Sequence, residues 1–253
     1  MGTQGEPGAA EAHWERLAPG VARRRMPGWD ETIGAIAGRT GVLVVDTGAT
    51  LRAGAEIRRE VTELFGLPVT HVALTHPHFD HVLGTAAFLG FSGLKVYGAV
   101  GLDELMQRER EAMRRTAERH GVDPEEAAEA ADLLVLPHHL VSGEVAVDLD
   151  GDGDGQQVLL ANVGPGHTAH DLAVLAVGRD GAPDIVFCGD LVEESGEPQA
   201  GSDALPHAWP AALDRLLALG GEDALYVPGH GAVVDAGFVR RQRDELAARF
   251  GVA

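Results

Sequence analysis

Short runs of apolar residues, each bounded by glycine, proline or aspartate, recur along most of the chain. Two of them flank a turn near Gly38 to Gly41, and the second run, VLVV, leads to Asp46. VTHVALT and KVYG follow, and later come DLLVLP, HLVSGEVAVDLD, QQVLLANVG, DLAVLAVG, PDIVFCGD and ALYVPGHG. Their lengths and their content of β-branched residues predict strands, most of them buried.

Other stretches have the spacing of an amphipathic helix. Ile57, Val61, Leu64 and Phe65 recur at helical intervals ahead of Gly66, which predicts the end of that helix. DHVLGTAAFLG, PAALDRLLALGG and FVRRQRDELAARFG predict three more helices. The order along the chain, strands, helices, strands and helices again, predicts two sheets with helices on the outside.

The segment 103–131 differs from the rest because it is dense in charge and has only a thin apolar stripe, which includes Met106 and Met113. It predicts one long helix and a second helix with Asp123 as its cap and Pro124 in its first turn. Two interpretations remain open for this helical insertion. It is either a solvated hairpin that contributes little to the core, or a lid over a substrate cleft.

Composition narrows the class of protein. The formal charge of −19 disfavours nucleic acid and anionic lipid as partners, and no apolar run is long enough to cross a bilayer. We expect a flexible polar tail at 1–20 without a secretory signal, and one folded domain at 21–253. Cys188 is the single cysteine, which excludes an intramolecular disulfide and a cysteine-based zinc finger. We therefore expect a cytoplasmic protein that acts on a small molecule. The sequence gives no indication of its oligomeric state.

The stretch LTHPHFDHVLG places three histidines and one aspartate within six residues, directly after a predicted strand. A chain that needed only a packed core would not gather so many Lewis bases in one place. These residues are His76, His78, Asp80 and His81. Imidazole and carboxylate groups without thiolate suit a catalytic metal site better than a closed structural one.

Three later strands also end in a histidine or an aspartate beside glycine. These residues are His167 in NVGPGHTAHD, Asp190 in VFCGDL and His230 in YVPGHG. Glycine allows the backbone to turn sharply there, so that each side chain can enter a shared cleft. The complete set spans more than half of the chain, and only a folded domain can assemble it.

In these motifs the chain resembles the metallo-β-lactamase-fold hydrolase superfamily, from about Thr32 to Gly231. The resemblance implies an α+β fold, a four-layer αββα sandwich with metals at one edge of its sheets. It also implies two divalent cations, zinc in the first place, with manganese or iron as alternatives. The implied ligands are His76, His78 and His167 for the first ion, Asp80, His81 and His230 for the second, and Asp190 between them. Asp46 matches an early aspartate of the family that supports the site without binding metal.

Several further residues are ambiguous. His170, beside the motif of His167, either contacts the substrate or donates a proton, or else it belongs to an ordinary loop. Cys188 is interpreted as a small buried residue and not as a ligand. DLDGDGDG imitates the start of a calcium loop, but Leu159 stands where a bidentate glutamate is required, so a hairpin turn is predicted.

The expected chemistry is hydrolysis of a small ester, lactone, thioester or amide by a hydroxide that two cations share. Asp80 is expected to orient this nucleophile. Phosphodiester hydrolysis on the same site and a non-catalytic metal-containing binding protein remain alternatives. His78 argues against the oxygen-reducing branch of the family, whose pattern differs at that position. Asp190 stands where one lactamase branch has cysteine, so nothing specific supports β-lactam cleavage.

Overall fold

A computed structural model describes residues 13–90, 93–150 and 155–252. The strands are β1 (Glu15–Ala18), β2 (Val21–Arg25), β3 (Thr32–Ala37), β4 (Val42–Val45), β5 (Val69–Ala73), β6 (Lys95–Ala99), β7 (His139–Val141), β8 (Glu144–Asp148), β9 (Gln157–Asn162), β10 (Leu172–Ala176), β11 (Ile185–Phe187) and β12 (Leu225–Val227). The helices are α1 (Leu51–Phe65), α2 (Phe79–Val82), α3 (Leu102–Arg119), α4 (Pro124–Asp132), α5 (Trp209–Gly220) and α6 (Ala236–Phe250).

The strands form two mixed sheets. The first has seven strands in the order β1-β2-β3-β4-β5-β6-β7, antiparallel up to β4 and parallel from β4 to β7. The second has five strands in the order β12-β11-β10-β9-β8, with only the β11 and β12 pair parallel. Parallel neighbours end at the same edge of a sheet, so the segments that follow β4 and β5, or β11 and β12, lie close together.

Three clusters of buried apolar side chains lie between four layers. One cluster joins the outer face of the first sheet to α1, α3 and α4, through residues such as Val44 and Ile57. A second fills the space between the sheets and includes Leu43 and Phe187. The third packs the second sheet against α5 and α6, around the fully buried Trp209. The layers therefore run helix, sheet, sheet, helix, and the predicted αββα sandwich is confirmed.

The ends of the helices follow local chemistry. The Thr50 side chain accepts a hydrogen bond from the Ala53 amide and so caps α1, which ends at Gly66 in the left-handed conformation (φ 67°). The helix predicted for residues 80–90 is only partly present, because α2 stops at Val82 and a separate 3-10 turn follows. A Cβ on Gly84 would lie 2.0 Å from the Thr47 carbonyl oxygen, so the chain closes against its neighbour at this point.

The helical insertion is more firmly packed than the solvated hairpin that its charge predicts. Met106, Met113 and Ala117 on α3, and Ala127 on α4, are buried in the cluster that covers the first sheet. The small side chains of Ala117 and Ala127 allow close approach of the helices, and the two methionines fill the remaining space, so that a thin apolar stripe is enough for a core contact. The next segment, DLLVLP, is predicted to be a strand from its composition, but the structure has no strand there.

The N-terminal boundary of the domain also requires correction. The predicted flexible tail covers residues 1–20, but β1 pairs with β2 in an antiparallel hairpin, and the Arg23 guanidinium donates to Glu15 at 2.7 Å. Residues 1–12 lie outside the described part of the chain, as do residues 151–154, which are half of DLDGDGDG, so its predicted turn stays a prediction. Among the helices of the described ranges, none combines the length and the apolar character that crossing a bilayer requires.

Candidate metal centre

Five strands deliver polar side chains to one edge of the sandwich. Asp46 directly follows β4, and the segment after β5 carries four residues of the histidine motif through α2. His167 lies on the loop between β9 and β10, Asp190 follows β11 in a short 3-10 turn, and His230 follows β12. The parallel pairing of β4 with β5 and of β11 with β12 brings the segments of each sheet together, and the packing of the two sheets brings the two sets to one edge.

The seven predicted ligands come together as two groups. Within each group, one ligand atom of every residue lies within 4.8 Å of the others. The first ligand group consists of His76, His78, His167 and Asp190. The second ligand group consists of Asp80, His81 and His230. The structure therefore divides the residues as the family pattern implies, although metal binding itself stays a prediction.

Asp190 stands between the two groups. Its Oδ2 atom lies 3.5 Å from His76 Nε2 and 3.6 Å from His167 Nε2, both in the first ligand group. The same carboxylate approaches the second ligand group, with Oδ1 3.2 Å from His81 Nε2 and Oδ2 3.4 Å from His230 Nε2. One carboxylate thus faces imidazoles of both groups, which is the position that a residue shared by two cations needs.

The outward nitrogens of the histidines are held by hydrogen bonds. His81 Nδ1 contacts Asp46 Oδ2 at 2.8 Å, and His230 Nδ1 donates to the Trp29 carbonyl at 2.7 Å. His78 Nε2 contacts Asp203 Oδ2 at 2.9 Å. Since carbonyl and carboxylate oxygens accept hydrogen bonds, each ring in its neutral form carries its proton on the outer side and directs a lone pair inward.

The inward atoms lie near the Asp190 carboxylate, but several of them make no hydrogen bond of acceptable geometry. His76 Nε2, His81 Nε2 and Asp190 Oδ1 are buried without a hydrogen-bond partner among the described residues. In the first ligand group, His167 Nε2 and His78 Nδ1 face each other at 3.0 Å, so they must share a proton or a cation. Buried polar atoms left without a partner are costly. A divalent cation would satisfy them together, and the residues present therefore fit the metal that the fold implies.

Asp46 organises this edge through one side chain. It adopts a left-handed backbone conformation (φ 61°), and its Oδ1 accepts from the Thr75 amide at 2.8 Å. Its Oδ2 accepts from the Thr75 hydroxyl at 2.7 Å and contacts His81 Nδ1. The Thr75 hydroxyl, having donated its proton, accepts from His76 Nδ1 at 2.9 Å. Asp46 therefore orients one histidine of each group.

Burial and charge act differently on individual histidines of the centre. Burial lowers the pKa of His76 to about 3 and holds the pKa of His167 well below its usual value, so both rings stay neutral. Burial also lowers the pKa of His230, but Asp190 outweighs burial and raises this pKa to about 9. In the same way Asp190 and Asp80 hold the pKa of His81 well above its ordinary value. The field at the second ligand group therefore favours positive charge.

The remaining sequence candidates lie outside both ligand groups. The His170 ring nitrogen Nδ1 donates to the Val100 carbonyl at 2.9 Å, and the ring packs on Gly101, just ahead of α3. This links the loop of His167 to the helical insertion. Cys188 is fully buried, and burial raises the pKa of its thiol well above the usual range. The thiol therefore stays protonated. Its Sγ atom contacts the Val186 carbonyl, as expected for a packed thiol.

Three residues at the centre were not predicted from sequence. Asp203, which contacts the His78 ring, is 125 positions away along the chain. No local sequence pattern identifies it as part of the site. Trp29 supports His230 through its backbone carbonyl, which any residue type could provide. Glu31 looks like an ordinary charged residue at the start of a strand, yet it is only 2% exposed and pairs with His230 in an isolated bridge.

Comparison with curated proteins finds a hydroxyacylglutathione hydrolase of Albidiferax ferrireducens. The two sequences are 29% identical over 177 residues, which is 70% of this chain and 53% of that protein. The chain therefore spans about half the length of this relative.

Solved structures share the fold at low sequence identity. They include the DIM-1 metallo-beta-lactamase (TM-score 0.69, 15% identity, 95% of this chain and 99% of that one). VMB-1 (TM-score 0.70, 17% identity) and TMB-1 (TM-score 0.70, 18% identity) each match over 96% of this chain and all of theirs. The family model of the metallo-beta-lactamase superfamily matches residues 27–230, which contain all seven predicted ligands. The chain belongs to the metallo-beta-lactamase superfamily.

Proposed function

We propose that the protein is a metal-dependent hydrolase with two divalent cations, zinc in the first place, which cleaves a small ester, lactone, thioester or amide. The observation that carries this proposal is the pair of ligand groups that face each other across Asp190. Two adjacent cations lower the pKa of water from about 15.7 towards 7 and stabilise negative charge on reacting oxygens. Seven donor side chains with inward lone pairs support such a centre.

The chain's own residues would orient the reactants. Asp80 Oδ2 lies 3.6 Å from both His81 Nε2 and His230 Nε2, which leaves the other carboxylate oxygen to orient the attacking water and to take its proton. We assign Asp80 this role in addition to its place in the second ligand group. Buried imidazoles and carboxylates around it keep bulk water from competing for these positions.

His170 would contact the substrate. Because its Nδ1 hydrogen is engaged by the Val100 carbonyl, its Nε2 atom is the one available to exchange a proton with a leaving group. His170→Gln is expected to reduce activity while the metal content stays at its wild-type level. A matching loss of metal would instead indicate that His170 only supports the loop of His167.

The relative and the charge support the proposed substrate class. The curated relative is named for hydrolysis of hydroxyacylglutathione, an acyl group carried on a thiol, so a thioester is our first candidate. The chain's formal charge of −19 disfavours nucleic acid as a substrate. We further propose that the helical insertion forms one wall of the cleft, since α3 begins beside His170 and the carbonyl of His120 accepts from Trp29 Nε1 at 3.1 Å.

A substrate panel tests the reaction. Acylglutathione thioesters, lactones, p-nitrophenyl esters and bis-p-nitrophenyl phosphate should be assayed with the metal-loaded protein. We expect turnover of acyl substrates and little or none of the phosphodiester. Turnover of the phosphodiester alone would make the protein a phosphodiesterase, and inactivity on every substrate with metal bound would support a binding protein.

Metal analysis tests the site itself. We expect close to two ions per chain, and we expect His76→Ala to lose most of the metal and the activity. His138→Ala is the matched control, because it removes an exposed imidazole outside both ligand groups. A His76→Ala protein with full metal content and activity would refute the ligand assignment.

A further inference from the structure

Glu31 is a buried carboxylate that neither the sequence motifs nor the two ligand groups include. It directly precedes β3, is 2% exposed, and its Oε2 atom has no hydrogen-bond partner among the described residues. Burying a carboxylate oxygen without a hydrogen-bond partner is unfavourable. A position with a purely structural role would be better served by an apolar residue of similar size.

The backbone around Glu31 is tied to the loop that carries His230. The Thr32 amide donates to the Gly229 carbonyl at 2.7 Å, and Glu31 and His230 form an antiparallel bridge. The Glu31 carbonyl accepts from the Met26 amide at 2.8 Å. These bonds hold the Glu31 backbone in a fixed place beside the second ligand group.

The charged groups that act on the Glu31 carboxyl include all three residues of the second ligand group. The Asp80 carboxylate and the His81 and His230 imidazoles are all close enough to act on it electrostatically. All three residues of the group therefore act on this one side chain, and a positive charge at their centre would offset the burial of a carboxylate.

We propose that Glu31 is a further carboxylate of the second ligand group, which raises the affinity of that group for its divalent cation through its charge and through an intervening water. The inference rests on the proposed function, because it requires a cation at Asp80, His81 and His230. A water is invoked because Glu31 is not among the residues whose ligand atoms lie within 4.8 Å of one another. Glu31 is thus a positioning residue and not a direct ligand.

Titration of the metal-free protein with Co²⁺, followed by its visible absorption, tests the inference. We expect wild-type protein to bind two equivalents. In Glu31→Gln we expect the first equivalent to bind as in wild type and the second to bind about tenfold more weakly, or worse, as for other outer-shell partners. Excess Co²⁺ should restore the two-ion spectrum, which a merely misfolded variant would not show.

Glu63→Gln is the matched control, since it removes the same charge from an exposed position on α1 and should bind both equivalents normally. If circular dichroism shows that Glu31→Gln does not fold, Glu31→Asp replaces it. This variant too should bind the second equivalent of Co²⁺ more weakly than wild type. Equal affinity for both equivalents in wild type and variant overturns the inference while the two-cation proposal stands. A wild-type protein that binds fewer than two equivalents overturns both.

Discussion

At the scale of single residues, the candidate centre depends on side chains that fix other side chains. Asp46 accepts hydrogen bonds from Thr75 and contacts His81, and Thr75 in turn accepts from His76. An isolated histidine motif would leave each ring free to rotate and to change tautomer. The contacts of Asp46 select the ring nitrogens that face the interior, and so prepare both groups for a cation.

Asp46→Asn tests this orienting role. Asparagine tolerates the left-handed conformation, but its amide nitrogen cannot accept a hydrogen bond from an imidazole. We expect metal affinity to fall about tenfold to a hundredfold, measured by competition with a chelator. Asp180→Asn is the control, since Asp180 has a similar conformation (φ 56°) in a turn between β10 and β11. Equal affinities in the two variants would contradict the role of Asp46.

His71 provides a residue-scale prediction away from the metals. Its ring is 7% exposed and stacks on Tyr97, its Nε2 atom is buried without a partner, and burial lowers its pKa to about 4. Because the unfolded chain binds this proton near pH 6.5, the neutral ring contributes stability above that pH. The contribution is lost as the pH falls from about 6.5 to about 4.

We therefore expect His71→Phe to weaken the acid sensitivity of the fold. Phenylalanine keeps a stacking ring and removes the titrating group. Between pH 7 and pH 5, urea unfolding should show a fall in the free energy of unfolding that is smaller than in wild type by about 1 kcal/mol, after allowance for solvent screening. His138→Phe, at an exposed position, should keep the wild-type pH dependence.

At the scale of elements, the packing of α1 against the segment after α2 positions the histidine motif. A Cβ on Gly54 of α1 would lie 2.3 Å from the Gly84 carbonyl oxygen, and a Cβ on Gly84 would lie 2.0 Å from the Thr47 oxygen. The Gly84 amide donates to Gly48 at 2.9 Å. These approaches explain why the predicted continuous helix of residues 80–90 divides into α2 and a 3-10 turn.

Gly84→Ala is expected to destabilise the fold and to disturb the motif. The clash is with backbone that cannot move without shifting Asp46, so we expect a cost of about 2–3 kcal/mol in the free energy of unfolding. Gly143→Ala is the matched control, because a Cβ there meets nothing within 4 Å and its φ is not positive. A Gly84 variant as stable as the Gly143 variant would show that this contact is not rigid.

At the scale of the whole molecule, the two sheets meet at the centre from opposite sides. The first sheet contributes Asp46 and the histidine motif, and the second contributes His167, Asp190 and His230. A cation bound between them, as we propose, would join the two halves of the sandwich. Because the complete site does not exist in the unfolded chain, binding energy adds to the stability of the native state.

Removal of metal should therefore lower the melting temperature of the whole protein. With each of two sites at a hundredfold excess over its dissociation constant, binding adds about 5 kcal/mol, or about 10 °C or more for a chain of this size. Differential scanning calorimetry with and without chelator measures this, with re-addition of Zn²⁺ or Mn²⁺ as the check on reversibility. The difference should shrink in His76→Ala. An unchanged melting temperature would argue against metal as a link between the sheets.

The sequence by itself determined the layered architecture, the main helices and strands, and the seven ligand candidates, because these follow from periodicity and from polar residues at strand ends. It did not determine that β1 is ordered, that DLLVLP is not a strand, or that α3 and α4 pack on the core. The partners of the centre, Glu31, Asp203 and Trp29, were decided only by the tertiary structure. Their roles depend on burial and on contacts between positions far apart along the chain, and no local pattern of residue types encodes those distances.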